Sequence, residues 1–394
     1  MALKPLKIQN KGSGFSFTVH AKKMVEKIQR IMEVTGYSSK SDVGRFHLIV
    51  SDGESAYVVG YSDETHGVLE LPDVEVEGKG SFIISEPEVF VKLMKTREAM
   101  SFAYNGGSLN YKAVKGKFTG DVNTVKIADD QVIRVNSMFK GVDGGSKLSP
   151  ELMIKIREGV KRTRINDLYQ NKIVLSCVRF SDNVLTVSTA DELHLAHYEA
   201  KLKVKDRPFQ LALPAQLFTT VDKFTGDTES NFSMTSKGFA VYGDDYLIGF
   251  PPLQADDELY RKVPMYIAAL DKPVCMFETG AKLIETQKSI SSLAHKGSRY
   301  IFNIVKKGLV KISLKTDSGS GSDSFKVSNL KMKASKLEIR IDPIIFEDLI
   351  TLADKDCIPM SLYTRKGGLD VKMYTVKATP SKGSKLTLMG SVSQ

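Results

Sequence analysis

Apolar and polar positions along this chain follow one order six times over. Each time a short β-rich run leads into an amphipathic helical stretch of about three turns, and two or three runs of period-two alternation follow. The helical stretches open at Ala21, Pro87, Pro150, Ala215, Gly280 and Asp342, in steps of roughly 62 to 66 residues. In AKKMVEKIQRIMEV the stripe is Met24, Val25, Ile28, Ile31 and Met32, and the strands RFHLIVSDG and SAYVVGYS follow across an Asp52-Gly53 turn. The second helix, PEVFVKLMKT, sets Val89, Phe90, Leu93 and Met94 on one face, and the third, PELMIKIREGVKRTR, sets Leu152, Met153, Ile156 and Val160 there. AQLFTTVDKF, a stretch from about Ala281 to His295, and IIFEDLITLAD complete the six. The Gly/Ser-rich run from Asp317 to Asp323 predicts a mobile hairpin loop.

A unit with one apolar helix face and one half-buried sheet buries both only by packing on its neighbours. Short turns predict antiparallel sheets. Glycine and proline cluster around 141–146 and 251–264, which predicts boundaries there. The expected fold is therefore α+β, with three domains at 1–142, 143–266 and 267–394, each of two helix-plus-antiparallel-sheet units.

Composition narrows the chemistry. The net charge of +10 over 394 residues favours an anionic partner, nucleic acid before acidic membrane. Cys177, Cys275 and Cys357 are odd in number and far apart, which suits a reducing cytoplasm and makes neither a disulfide framework nor a zinc site. No stretch approaches 18 apolar residues, and the opening MALKPLKIQNKGSG lacks the apolar core of a signal peptide. Phosphate-loop, H-E-x-x-H, C-x-x-C and G-x-S-x-G patterns are all missing from the sequence. His194 and His197 lie three apart on a predicted strand and so point to opposite faces, which is poor for a metal. No catalytic constellation, cofactor or metal is expected.

The positive signal is the polar side of the helices. Lys23, Lys27 and Arg30 lie opposite the first stripe, and Lys92 and Lys95 opposite the second. Lys155, Arg157, Lys161, Arg162 and Arg164 mark the third, Lys223 the fourth, and Lys282 and Lys288 the fifth. Five of six equivalent helices thus carry basic residues, and in a closed array their faces would sum into one cationic surface. The helices have few outward aromatic platforms and no recognition-helix motif. Sequence-independent contact with duplex phosphates, salt-sensitive and weak, is the expectation.

Six such units with basic helix faces resemble the bacterial DNA polymerase III β subunits, the DNA sliding clamps. The stretch Ile173 to Leu175, Val178 to Phe180 and Leu185 to Asp191, ending at His194-Leu195-Ala196, is similar to that family's middle-domain segment. Gly249-Phe250-Pro251-Pro252 through Tyr260 to Pro264 resembles its connection into the third domain. The resemblance implies a non-enzymatic processivity factor in the cytoplasm of a bacterium or of an infected bacterial host. It would be a head-to-tail homodimeric ring around double-stranded DNA, with helices inside and sheets outside, and would tether a DNA polymerase and a clamp loader through short peptide motifs. By position, the resemblance places the partner-peptide pocket at Lys172, Leu175, Asp191, His194, Leu195, Arg261, Val263, Leu388 and Met389. Three departures point to a distant, phage-type member. Glu192-Leu193-His194 replaces the usual Gly-His-Arg, Leu388-Met389-Gly390 replaces a Met-Pro-Met ending, and the sixth helix carries Glu347, Asp348 and Asp354. Head-to-tail ring closure is expected to use an edge strand of the first domain, Ser108 to Lys115, against the third domain's fifth unit around Ile284, Ile290 and Leu293. A structural or assembly ring protein that never threads DNA is the alternative, and an enzyme on nucleic acid would need a carboxylate cluster that the sequence lacks.

Overall fold

A computed structural model describes residues 14–36, 46–62, 65–140, 146–165, 175–191, 194–214, 221, 231–235, 238–250, 263, 265–267, 273–295, 297–353, 359–364 and 371–393. The chain forms two compact units, each spliced from two segments: Met1–Leu148 with Thr219–Leu253, and Ser149–Phe218 with Gln254–Gln394.

The first unit holds three described helices, α1 (Ala21–Val34), α2 (Pro87–Met94) and α3 (Asp129–Lys140). Its strands are β1 (Phe15–His20), β2 (Phe46–Ser51), β3 (Ala56–Tyr61), β4 (His66–Glu70), β5 (Glu75–Glu77), β6 (Gly80–Ile84), β7 (Ala99–Tyr104), β8 (Ser108–Ala113) and β9 (Thr119–Val125). Four more follow: β10 (Ser146–Lys147), β15 (Asn231–Thr235), β16 (Gly238–Tyr242) and β17 (Tyr246–Phe250). All thirteen join in the order β10-β15-β16-β17-β4-β3-β2-β6-β9-β8-β7-β1-β5. Every pairing is antiparallel, as the short turns require.

Met24, Val25, Ile28 and Ile31 of α1 are buried as the stripe predicts, and α1 packs on β3 and β4. On α2 the stripe is rotated: Val89 is 48% exposed and Val91 is buried in its place. Helix α3 is not among the six stretches that the periodicity predicts. Its Val135 and half-buried Val132 pack on Leu48, Val50, Val59 and Val68, covering the second face of the β2-β3-β4 sheet. Burial on both faces explains the continuous apolar run of β3. The local signal for α3 is Ala128-Asp129-Asp130-Gln131, where Gln131 Oε1 accepts the Ala128 amide at 2.9 Å, half of a capping box.

In the second unit the helices are α4 (Pro150–Arg162), α5 (Lys282–Ser291) and α6 (Pro343–Ala353). The strands before α5 are β11 (Leu175–Ser181), β12 (Val184–Ala190), β13 (His194–Lys201), β14 (Phe209–Pro214) and β18 (Pro273–Glu278). Between α5 and α6 lie β19 (Tyr300–Val305), β20 (Leu309–Thr316), β21 (Gly319–Lys326), β22 (Ser328–Met332) and β23 (Lys336–Ile341), and after α6 come β24 (Pro359–Thr364), β25 (Val371–Ala378) and β26 (Ser384–Ser393). These too form thirteen strands, with β26 joining β13, β25 and β23. Ser149 caps α4, accepting from the Leu152 amide.

Two expectations fail. The glycine- and serine-rich run is not a long loop: a two-residue turn at Asp317-Ser318 leads straight into β21. Gly321 serves packing there, since a Cβ on it would press on Leu293 and Ile290 where α5 crosses the strand. Nor is Ser108–Ala113 an edge, because β8 is paired with β7 and β9. Residues 119–123 of β9 have β8 on one side only, and β21 ends its own sheet path. The fourth predicted helix lies outside the described residues except for Val221, which is helical and buried.

Candidate functional site

The two units repeat one joint. In the first, β4 pairs with β17; in the second, β13 pairs with β26. Lys27 of α1 reaches Asp245, in the turn before β17, at 2.6 Å. Lys155 of α4 reaches Ser381, in the turn before β26, also at 2.6 Å. Lys27 with Lys155, His66 with His194 and Val135 with Val263 share one spacing along the chain. They are equivalent positions of an internal repeat.

The joints decide which basic side chains remain outside. Lys27 keeps 13% of its side chain exposed and Lys155 17%, so both predicted phosphate contacts are engaged by the protein itself. Glu158 gathers Lys155 at 2.9 Å, Tyr198 at 2.7 Å and Ser381 at 2.9 Å. Burial pushes its carboxyl up, but those three hydrogen bonds outweigh it and hold the group below the usual range. Arg162 is half-buried and donates to the Leu352 carbonyl at 3.2 Å, in the last turn of α6, where a cation suits the helix dipole. Arg157 and Arg164 are half-buried as well. Lys23 is exposed and pairs with Asp73, Lys282 pairs with Glu285 at 3.1 Å, and Arg30 is exposed. Lys92, Lys95, Lys161 and Lys288 are exposed, without an ion pair among the described residues. Lys223 lies outside the described residues.

Around the second joint, Leu195, Val263 and Met389 form one buried apolar cluster. Leu195 faces Met389 across the β13–β26 ladder, and Ala190, Ile267 and Met373 pack around them. Those three are not among the pocket residues that the family resemblance implies, and neither are Met265 (69% exposed) and Tyr266 (42%) in the adjoining helical residues. Leu388 points the other way, into the core at 0% exposure. Leu175 opens β11 opposite Pro214, and Lys172 and Arg261 lie outside the described residues.

His194 faces the helices. Its Nδ1 lies 2.7 Å from Asp191 Oδ1, its backbone amide donates to the same oxygen at 2.8 Å, and Nε2 is 3.8 Å from Asp348 Oδ2 on α6. Burial alone would lower its pKa; the hydrogen bond to Asp191 and the charges of Asp191 and Asp348 raise it to about 9. Two of the three acidic residues of the sixth helix are thereby explained, and Asp354 lies outside the described residues. Asp348 faces His194, and Glu347 accepts from Tyr300 at 2.8 Å. His197 points to the opposite face, with Nδ1 2.8 Å from Ser188 Oγ, and burial drives its pKa down to about 4. Cys177 and Cys275 are buried thiols, the latter pushed up to about 12 by burial.

No group of three or more metal-ligating side chains occurs among the described residues, and no helix there is long and apolar enough to cross a membrane. Solved structures supply the comparison. The sliding clamp of Bacillus subtilis superposes with a TM-score of 0.74 at 13% identity, covering 97% of this chain and 100% of its own. The chain has the fold of the bacterial DNA sliding clamps. The β subunit of Streptococcus pyogenes DNA polymerase follows at 0.76 and 10% identity (96% and 100% covered), and the DNA polymerase III β subunit of Thermotoga maritima at 0.69 and 17% (95% and 99%). Such low identity over full length is a clamp fold carried by a diverged sequence. No protein-family model and no curated protein matches the sequence.

Proposed function

We propose that this protein is a DNA sliding clamp: a non-enzymatic processivity factor, composed of three clamp domains at 1–142, 143–266 and 267–394, that encircles duplex DNA and tethers a polymerase. The full-length match to clamp structures carries this reading. Two features support it. Basic side chains project from α1, α2, α4 and α5 on the side opposite their apolar stripes. Edge strands β9 and β21, one in each unit, leave backbone groups for a second copy to pair with, so that head-to-tail closure of a homodimer removes both edges.

Exposed lysines on mobile stems suit the task, because they attract phosphates without fixing a register. Retention then comes from topology. The Leu195–Val263–Met389 cluster and its surroundings form the groove for the short peptide motifs of polymerase and loader. The protein acts in the cytoplasm of a bacterium or an infected bacterial host, without a cofactor.

The test is retention on circular against linear duplex after loading and a high-salt wash. Retention on the circle that disappears on linearisation establishes a clamp. Equal loss from both, with folded protein and working loading controls, favours a ring protein that does not thread DNA.

A further inference from the structure

The loop that carries β12 into β13 is closed by reciprocal bonds: the Asp191 amide donates to the His194 carbonyl at 3.0 Å, and Asp191 Oδ1 accepts the His194 amide. One side chain then joins this loop to α6. His194 is 4% exposed, and its two ring nitrogens face two carboxylates from different elements. A neutral imidazole satisfies only one of them. With Nδ1–H given to Asp191, the Nε2 lone pair would point at the Asp348 carboxylate, with no hydrogen-bond partner in its buried position. A protonated ring donates to Asp191 and sets its positive charge 3.8 Å from Asp348 Oδ2. From β26 the residue opposite is Gly390, which brings no charge. It is glycine because a Cβ there would strike the Tyr374 hydroxyl of β25. Tyr374 is fully buried, and burial with the nearby Asp342 and Asp348 holds it neutral.

We propose that His194 is a positioning residue of the Leu195–Val263–Met389 groove: its imidazolium, clamped between Asp191 and Asp348, ties the start of β13 to α6 and thereby sets how Leu195 meets Met389. The next residue on the strand, Leu195, turns its side chain to the other face and stacks on Met389. Any movement of His194 is therefore passed to the groove wall through one peptide unit. Among the described residues no carboxylate pairs with the equivalent His66; Asp63, which corresponds to Asp191, lies outside them. His66 stacks on Tyr61 over Gly249, and burial pushes its pKa down to about 4. The inference rests on reading the apolar cluster as a docking groove, but its test needs no peptide and no DNA, so the two fail separately.

The experiment is NMR on the full chain from pH 6 to 10, following the imidazole nitrogens of His194 and the methyl of Met389, the latter assigned with Met389→Leu. Both signals should move with one midpoint near 9. Asp348→Asn should lower both midpoints together by a pH unit or more, and His194→Gln should leave the Met389 methyl flat across the range. If His194→Gln does not fold, Asp348→Asn decides alone. A His194 midpoint in the ordinary range of about 6.5, or a Met389 methyl that ignores the His194 titration, overturns the proposal.

Discussion

Three histidines shifted in opposite directions, the buried His194 and the half-buried His66 and His197, have consequences for stability of opposite sign. His194, raised to about 9 from an unfolded value near 6.5, adds stability that is fully present below pH 6.5 and is lost as pH rises through 9. At full strength this is on the order of 3 kcal/mol. His66 and His197, both lowered to about 4, contribute stability that is present above pH 6.5 and is lost as pH falls toward 4. Urea titrations across pH should show both flanks, with the alkaline one flattened in Asp348→Asn. Tyr198→Phe should cost about 1 kcal/mol by the same assay, because Glu158 loses one of three donors while the ring stays packed. Little of this is legible in the sequence. His194 is placed by its motif, but its charge depends on Asp348, which lies far along the chain and meets it only in the fold.

At the scale of elements, helical stripes on α1 and α4 are readable because each buries one face against one sheet. Two elements are not, and packing explains both. Helix α3 lacks a clean stripe, with Ile133 exposed beside Val132 and Val135, yet the apolar face of β2, β3 and β4 draws it down. Strand β21 has the composition of a linker, yet α5 crosses it closely enough that a Cβ at Gly321 would crowd Leu293 and Ile290. Gly321→Val should therefore destabilise the second unit by roughly 1–3 kcal/mol in chemical denaturation, since Leu293 and Ile290 must shift to admit the side chain. Gln131→Ala should loosen the start of α3, at a cost of about 1 kcal/mol, seen as faster amide exchange there.

For the whole molecule, exposed Lys92, Lys95, Lys161 and Lys288 are the side chains best placed to meet phosphate. Replacing them with alanine should reduce the slope of log affinity against log salt by about 0.9 for each phosphate that is no longer neutralised. Lys27→Ala and Lys155→Ala should instead act mainly on stability, because both ammonium groups are occupied at the joints. Charge on a helix face is legible in the sequence; its availability is not. By itself the sequence determined five of the six helix-plus-strand units, the antiparallel strands and the stripes of α1 and α4, because each follows from local periodicity and burial over a few residues. Only the tertiary structure decided which lysines stay free, what charge His194 carries and which strands are edges. Those properties depend on partners distant in the chain, and a side chain's field, burial and pairing are set by whatever the fold places beside it.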